Sequence, residues 1–264
     1  EPDAGTNSFN IKTTAVAEGG GFRINGNKWF ITNIDNSDAL LLVAKTAPSG
    51  KEAVKSGSLS LFLIDLPNES LDYTPIPKHG FNYYKSNQLF IEDLFVPESA
   101  LVGTLGKGFA SLAPTLNAER LLVAAGSIGL ARLALSSAVL YASERVVFDV
   151  PIGAHQAVQH PLAAAHARLE SAWWTVRQAA AMEDQGDQSA HATALANTAK
   201  YVAVEAAIDA CYHSLQAHGG AGYAREYHQE RWWREVQLFR LAPLTQQMTL
   251  NFIGQHVLGL PRSY

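Results

Sequence analysis

The hydrophobic pattern changes period near residue 105, and that switch constrains the fold more than any other feature of the chain. From Gly21 to about Pro97 the segments FRINGNKWFITN, ALLLVAKT, SLSLFLIDL and NQLFIEDLFV are short β-branched, aromatic and aliphatic runs. Gly, Asn, Asp, Pro and Ser separate them, as they separate the strands of an antiparallel sheet packed as a β-barrel or sandwich. After VPESALVG and Gly106-Lys107-Gly108 the composition turns to Ala, Leu, Gln and Arg, with apolar residues at helical spacing. Four long helices are expected over roughly 109–146, 155–184, 188–217 and 226–240, with a shorter tail over about 243–257. Pro114 is expected to kink or restart the first of them. Such lengths exceed the usual globular helix of about 11–12 residues and fit an up-down four-helix bundle. The expected class is therefore α+β, with a β-domain over 1–104 and a helical domain over 105–264.

A chain of 264 residues that is 47% hydrophobic can bury a sizeable core. Its 20 basic and 24 acidic residues are scattered, so no nucleic-acid footprint or polybasic membrane patch stands out. No membrane span or signal peptide is evident either. Cys211 is the only cysteine, which excludes an internal disulfide framework and leaves a reducing, cytoplasmic compartment as the expectation. The first residues, EPDAGTNS, carry no initiating Met, so an upstream domain or a targeting segment is expected to precede them; the latter would admit the mitochondrial matrix.

Individually the polar motifs have ordinary readings. EPDAGTNS can be a surface turn or a backbone cradle for a phosphate. NGNKWFITN can be a hairpin strand with Thr32 in a cross-strand pair, and QAHGGAGY can be a helix C-terminus closed by glycine. His155, His160 and His166 are spaced by five and six residues and do not share one helix face as zinc ligands at i and i+4 would. The pairs Trp173-Trp174 and Trp232-Trp233 read as packing, and Cys211 as an inert core thiol.

Taken in order, EPDAGTNS, INGNKWFITN, LFIEDLFVP, ERLLVAAGSIGLA, ERVVFDVPIGAHQAVQ and QAHGGAGY followed by ERWWREVQLFRL resemble the acyl-CoA dehydrogenases. The resemblance covers that family's middle sheet domain and C-terminal helical domain, without its N-terminal helical domain. It implies FAD as cofactor and an acyl-CoA thioester as substrate. Phe30 matches the aromatic residue against the isoalloxazine ring, where Trp is usual, and Thr32 the hydroxyl near flavin N5. Thr6 matches a hydroxyl near the pyrophosphate, beside Gly5. Arg145, Phe148 and Gln156 match residues that reach a neighbouring subunit's FAD, although Asp149 stands where Gly is commoner. Gln216, Gly219 and Gly220 match a segment lying along the partner's cofactor, so a homodimer or homotetramer is implied. Thr245 and Gln247 match further FAD contacts. No metal is expected.

The family's commoner catalytic base is the Glu of a Tyr-Glu-Gly-Thr segment, but here the sequence is LAPLTQQ and Pro243 occupies that place. In a minority branch the base lies on the first bundle helix in a Glu-Arg-Leu context, which Glu119-Arg120-Leu121 matches. Glu119 is thus either that base or an acid placed early in a helix to meet the macrodipole. Arg120 matches an arginine near the substrate. The implied activity is α,β-dehydrogenation of an acyl-CoA to a trans-2-enoyl-CoA, with electrons passed to an electron-transfer flavoprotein. Two rivals stay open: a flavin monooxygenase or oxidase on the same fold, and a non-catalytic relative that binds CoA esters or partner subunits. Tyr83-Tyr84-Lys85-Ser86 replaces a more usual Arg-containing stretch.

Overall fold

The structure, a computed structural model, describes residues 1–46 and 59–262. It divides into two compact units, Glu1–Pro114 and Thr115–Tyr264.

In the first unit β1 (Thr14–Glu18) and β2 (Gly21–Thr32) form a hairpin. Its two-residue turn, Gly19-Gly20, has φ of 56° and 83°, the positive values that a tight primed turn requires and that glycine adopts without a Cβ clash. Strands β3 (Ala39–Thr46), β4 (Leu59–Asp65), β5 (Leu71–Pro75), β6 (Ser86–Pro97) and β7 (Leu101–Val102) complete one sheet in the order β5-β6-β2-β1-β3-β4-β7. Its neighbours are antiparallel except β1 and β3, which run parallel through Thr14↔Lys45 and Ala15↔Thr46. The sheet is therefore mixed, a detail that side-chain alternation does not encode because its period of two is common to both pairings. Among the described residues it stays open at β5 and β7, sandwich-like and not a closed barrel.

Burial alternates along β6, but Leu89 and Ile91 are succeeded by Leu94 and Val96, so the inward parity changes between Ile91 and Leu94. Asp93 takes a positive φ there and the β2–β6 register shifts between Ile24 and Gly26. A bulge inserts one residue and re-aims everything beyond it. The core so formed centres on Phe22, Ile24, Phe62, Leu89 and Leu94, with Phe22 and Phe62 edge to face at 5.1 Å.

A buried ion pair fastens the first residues to β2. Lys28 Nζ lies 2.6 Å from Glu1 Oε1, and the Thr13 hydroxyl donates to the same oxygen at 2.6 Å. Burial pushes the Glu1 carboxyl up, yet hydrogen bonds from the Lys12 amide, Lys28 and Thr13 outweigh it and hold it at about 2. Burial also pushes Lys28 down despite its partner, so the desolvation of the pair consumes part of its attraction.

The second unit contains most of α1 (Gly108–Glu144), then the hairpin β8 (Val146–Val147) and β9 (Val150–Pro151), α2 (Gln156–Asp184) and α3 (Ala190–His218). Pro114 lies inside α1 without ending it. The fourth helical run is divided at Gln237 into α4 (Gln229–Val236) and α5 (Leu238–Leu241), and α6 (Gln246–Phe252) follows a turn. Side-chain contacts fix the directions. Arg132–Glu170 and Arg168–Asp209 join antiparallel neighbours, Asn117–Thr193 and Tyr141–His218 join the parallel pair α1 and α3, and Glu205–Arg240 returns α5 antiparallel to α3. This is the up-down arrangement expected, with its fourth member broken.

The shared core is rich in alanine, including Ala124, Ala131, Ala165, Ala199, Ala203 and Ala207, with Ile128, Leu169 and Val204 among the larger side chains. By length and apolarity α1 would suffice to cross a membrane. Leu121, Ile128, Leu135 and its buried alanines instead belong to this core.

Two outcomes are expected. Ile128→Ala, at a site only 1% exposed, lowers unfolding free energy by about 2–5 kcal/mol, read as a lower denaturant midpoint at unchanged slope. The ionised form of Glu1 is favoured by folding, so its contribution is complete above its ordinary value of 4.5 and is lost as pH falls toward 2. Thermal melts between pH 2.5 and 6 show a shallower acid limb in Lys28→Met than in the unsubstituted chain.

Candidate functional site

In the first unit the flavin-matching side chains lie outward. Thr6 and Thr32 are exposed, and a Cβ on Gly5 would meet nothing within 4 Å. Thr32 also pairs across the sheet with Ser86, so its ordinary strand role and an exposed side chain coexist. Phe30 is 59% exposed with φ of 59°, at the second register shift of β2 against β6, between Lys28 and Ile31. A left-handed conformation is uncommon for a bulky residue and costs of order 1–3 kcal/mol. The bulge throws this ring out of the sheet beside Trp29, edge to face at 6.0 Å. Two residues earlier, Lys28 holds Glu1, so the EPDAGTNS segment and the KWFIT strand are tied together by one ion pair.

In the second unit the remaining residues fall into two groups. At one end are the β8–β9 hairpin, the start of α2 and the end of α3. Phe148 and Asp149 form the hairpin's two-residue turn, with φ of 55° and 64°. Asp tolerates that conformation where Gly is commoner, and the Phe148 ring at its tip is 85% exposed. Arg145 and Gln156 flank the hairpin and are exposed. Gln216, Gly219 and Gly220 are also exposed, and Gly219 (φ 57°, ψ −136°) ends α3 with open space where either glycine's Cβ would stand. His218 fixes this turn. It is buried, stacked on Tyr141 at 4.4 Å, bonded through Nδ1 to the Ser214 carbonyl at 2.8 Å, and 3.3 Å from Gln229, which donates to Ser137. Burial lowers the His218 pKa, favouring the neutral ring.

The other group surrounds Glu119, which is exposed eleven residues beyond the start of α1. The macrodipole acts within the first turn, so the helix-start explanation of this carboxylate fails on where α1 begins. Arg120 turns inward, and its Nη1 donates to Asn117 Oδ1 at 3.1 Å. Its buried Nε has no hydrogen-bond partner among the described residues. Burial pushes the guanidinium down and the Glu119 charge pulls the other way. Next to it lies Lys200, whose ammonium donates to the Leu244 carbonyl at 2.8 Å and to Gln246 Oε1 at 2.9 Å. Burial pushes Lys200 down to about 8, Glu205 opposes this and Arg120 adds to it. Thus Arg120, next to Glu119 in α1, adds its charge to the cluster in which Lys200 holds the Leu244–Gln246 turn. In that turn Gln246 is buried and Gln247 exposed, while Thr245 caps α6 by accepting from the Met248 amide at 3.3 Å.

From Glu119 to the end of α1 is about 38 Å at 1.5 Å per residue, so the two groups stand at opposite ends of the helical unit. Sequence reasoning missed Glu1, Lys28, Asn117, Lys200, His218 and Gln229, which hold the matched residues from behind; Glu1, Lys28 and His218 lie inside the quoted motifs, but their partners are distant in sequence. The remaining candidates stay ordinary. Cys211 is buried and pushed up to about 12 by that burial. Each Trp pair has one member turned to the interior and one outward, with Arg132 over Trp173 and Arg177 over Trp174. The residues present fit a flavin dinucleotide: flat rings held outward, exposed hydroxyls and amides, and glycines with open space for a close ligand.

The chain matches the acyl-CoA dehydrogenase middle domain over residues 1–94 and the acyl-CoA dehydrogenase C-terminal domain over 106–258. It is 41% identical over 266 residues to acyl-CoA dehydrogenase FadE12 of Mycobacterium tuberculosis, covering 100% of this chain and 67% of that protein. It is 34% identical over 249 residues to the caffeyl-CoA reductase-Etf complex subunit CarC of Acetobacterium woodii, covering 94% of this chain and 64% of that one. Butyryl-CoA dehydrogenase from Megasphaera elsdenii superposes with a TM-score of 0.91 at 30% identity, over 98% of this chain and 66% of its own. The chain therefore spans about two thirds of the length of these relatives. With both domains matched in order and similarity across the whole sequence, the chain belongs to the acyl-CoA dehydrogenase family of flavoprotein oxidoreductases.

Proposed function

We propose that the protein is an acyl-CoA dehydrogenase that forms a trans-2-enoyl-CoA from an acyl-CoA thioester, with Glu119 as the base that takes the α-proton. The observation that supports this reading is that Arg120, the neighbour of Glu119 in α1, is close enough to Lys200 for its charge to act there, and Lys200 in turn holds the turn in which Pro243 stands at the commoner base position. A carboxylate from the helix can then serve a site whose turn offers none. FAD, when bound, supplies the acceptor for the hydride leaving the β-carbon. Glu119 meets the first demand of a general base, a side chain open to a ligand. Arg120, held by Asn117, orders the helix surface beside it.

Thr6, Phe30 and Thr32 in the sheet unit, and Thr245 and Gln247 in the helical unit, are the residues whose match to the family assigns them to the cofactor. Arg145, Phe148, Gln156, Gln216, Gly219 and Gly220 lie beyond the end of α1 and at the end of α3, toward the other end of the helical unit from Thr245 and Gln247. They would therefore complete the site of a second copy, which makes the working protein at least a homodimer. Electrons would leave to an electron-transfer flavoprotein, the partner class printed in the name of the Acetobacterium relative.

The decisive experiment is anaerobic mixing of the FAD-loaded protein with an acyl-CoA panel. The flavin absorbance bleaches in the unsubstituted protein, and Glu119→Gln retains FAD but slows bleaching by about 10²–10⁴-fold, the range of a lost general base. Normal bleaching in Glu119→Gln removes Glu119 from the role; absence of bleaching with every ester in the unsubstituted protein removes the dehydrogenase. The strained ring gives an independent outcome. Phe30→Gly relieves the left-handed backbone, so the melting temperature holds or rises, while FAD affinity falls by about tenfold from loss of the stacked face. Flavin titration and a thermal melt on the same sample check both halves.

A further inference from the structure

We propose that Lys200 is the positioning residue of the 242–247 turn: from inside α3 its ammonium fixes the Leu244 carbonyl and the Gln246 amide so that Thr245 and Gln247 face the flavin. The inference rests on the assignment of Thr245 and Gln247 to FAD made above.

The turn has little of its own to hold it. Ala242, Pro243 and Leu244 offer no polar side chain, and both shoulders are instead tied to one short stretch of α3. On the entering side Arg240, in α5, grips Glu205 with two bonds of 3.0 and 2.5 Å. On the leaving side Gln246 spans two opposite charges. Its Oε1 accepts from Lys200 at 2.9 Å and its Nε2 donates to Glu205 Oε1 at 3.0 Å and to the Tyr201 carbonyl at 3.3 Å. The amide meets the ammonium with its oxygen and the carboxylate with its nitrogen. That pairing separates two adjacent glutamines: Gln246 is drawn in and Gln247 is left exposed.

Lys200 is itself 0% exposed, and Arg120 of α1 is close enough for its charge to disfavour the ammonium. Burying a cation beside another cation is unfavourable, and an apolar residue of similar volume would pack the helix as well or better. A lysine here is understandable if its donors are needed where they point, at the two groups that set the turn. The bond to Leu244 fixes the peptide plane immediately before Thr245, and the bond to Gln246 fixes the side chain immediately after it.

The test uses the whole chain and two readouts. Amide hydrogen exchange across residues 242–249 is followed in FAD-free protein, and FAD affinity is measured by titration of the visible flavin bands. In Lys200→Met the turn exchanges faster by about tenfold or more, with α1 and α2 unchanged, and FAD binds about tenfold more weakly, the loss expected for one hydrogen bond to a charged donor. Gln246→Leu moves both readouts the same way by less. Val204→Ala, a cavity one turn along the same helix, lowers the melting temperature and leaves both readouts native, which a merely structural role for Lys200 would not distinguish. Native exchange in Lys200→Met overturns the proposal, as does a freed turn with native FAD affinity. If Lys200→Met does not fold, Gln246→Leu decides by the same signs. If the unsubstituted chain takes up no FAD, the flavin reading falls, while the exchange measurement still decides whether Lys200 holds the turn.

Discussion

The helical unit depends on how closely three long helices approach one another. Alanines at positions such as 124, 131, 165, 199, 203 and 207 present almost no side chain, so α1, α2 and α3 share a core in which Ile128, Leu169 and Val204 fill the space between them. Close approach lets a polar side chain on one helix reach across to another without leaving the interior. Asn117 with Thr193 and Tyr141 with His218 make contact in this way, and Arg120 comes close enough to Lys200 for its charge to act there. The same packing sets two groups of exposed residues far apart in the helical unit, and that separation is the basis for the proposal that a second copy completes the cofactor site.

Across both units the side chains assigned to the cofactor are outward and the ones that hold them are inward. Phe30 and Phe148 sit in left-handed conformations at a bulge and a tight turn, and both rings are exposed. Strain of this kind persists when neighbours over-determine it. For Phe30 the neighbours are the β2–β6 pairing and the Lys28–Glu1 pair two residues away. For Phe148 they are the two short strands that close the hairpin. A charged group in the interior, Lys200 above all, sacrifices some stability for a fixed direction of the backbone it contacts.

Much of the architecture was legible in the residues. The change of period near residue 105 separates the strands from the helices, and the helix limits fall within a few residues of those read from spacing. The division of the fourth helix at Gln237 was not legible, because its apolar spacing continues through the joint. The parallel pairing of β1 with β3 was not legible either, since alternation is blind to strand direction. Phe30, Gly219, Thr245 and Glu119 were proposed from sequence order, whereas the supporting roles of Lys200, His218 and Glu1 were not legible there. Their importance lies in contacts with residues from 11 to 46 positions away.

By itself the sequence determined which segments become strand or helix and which residue types could serve a flavin and take a proton, because hydrophobic period and side-chain chemistry are local properties. Only the tertiary structure decided that Glu119 lies too deep in α1 to be explained by the helix end, that its neighbour Arg120 acts on the lysine holding the Pro243 turn, and that Gln246 and Gln247 part company. Each of these depends on burial and on charges brought together from distant positions.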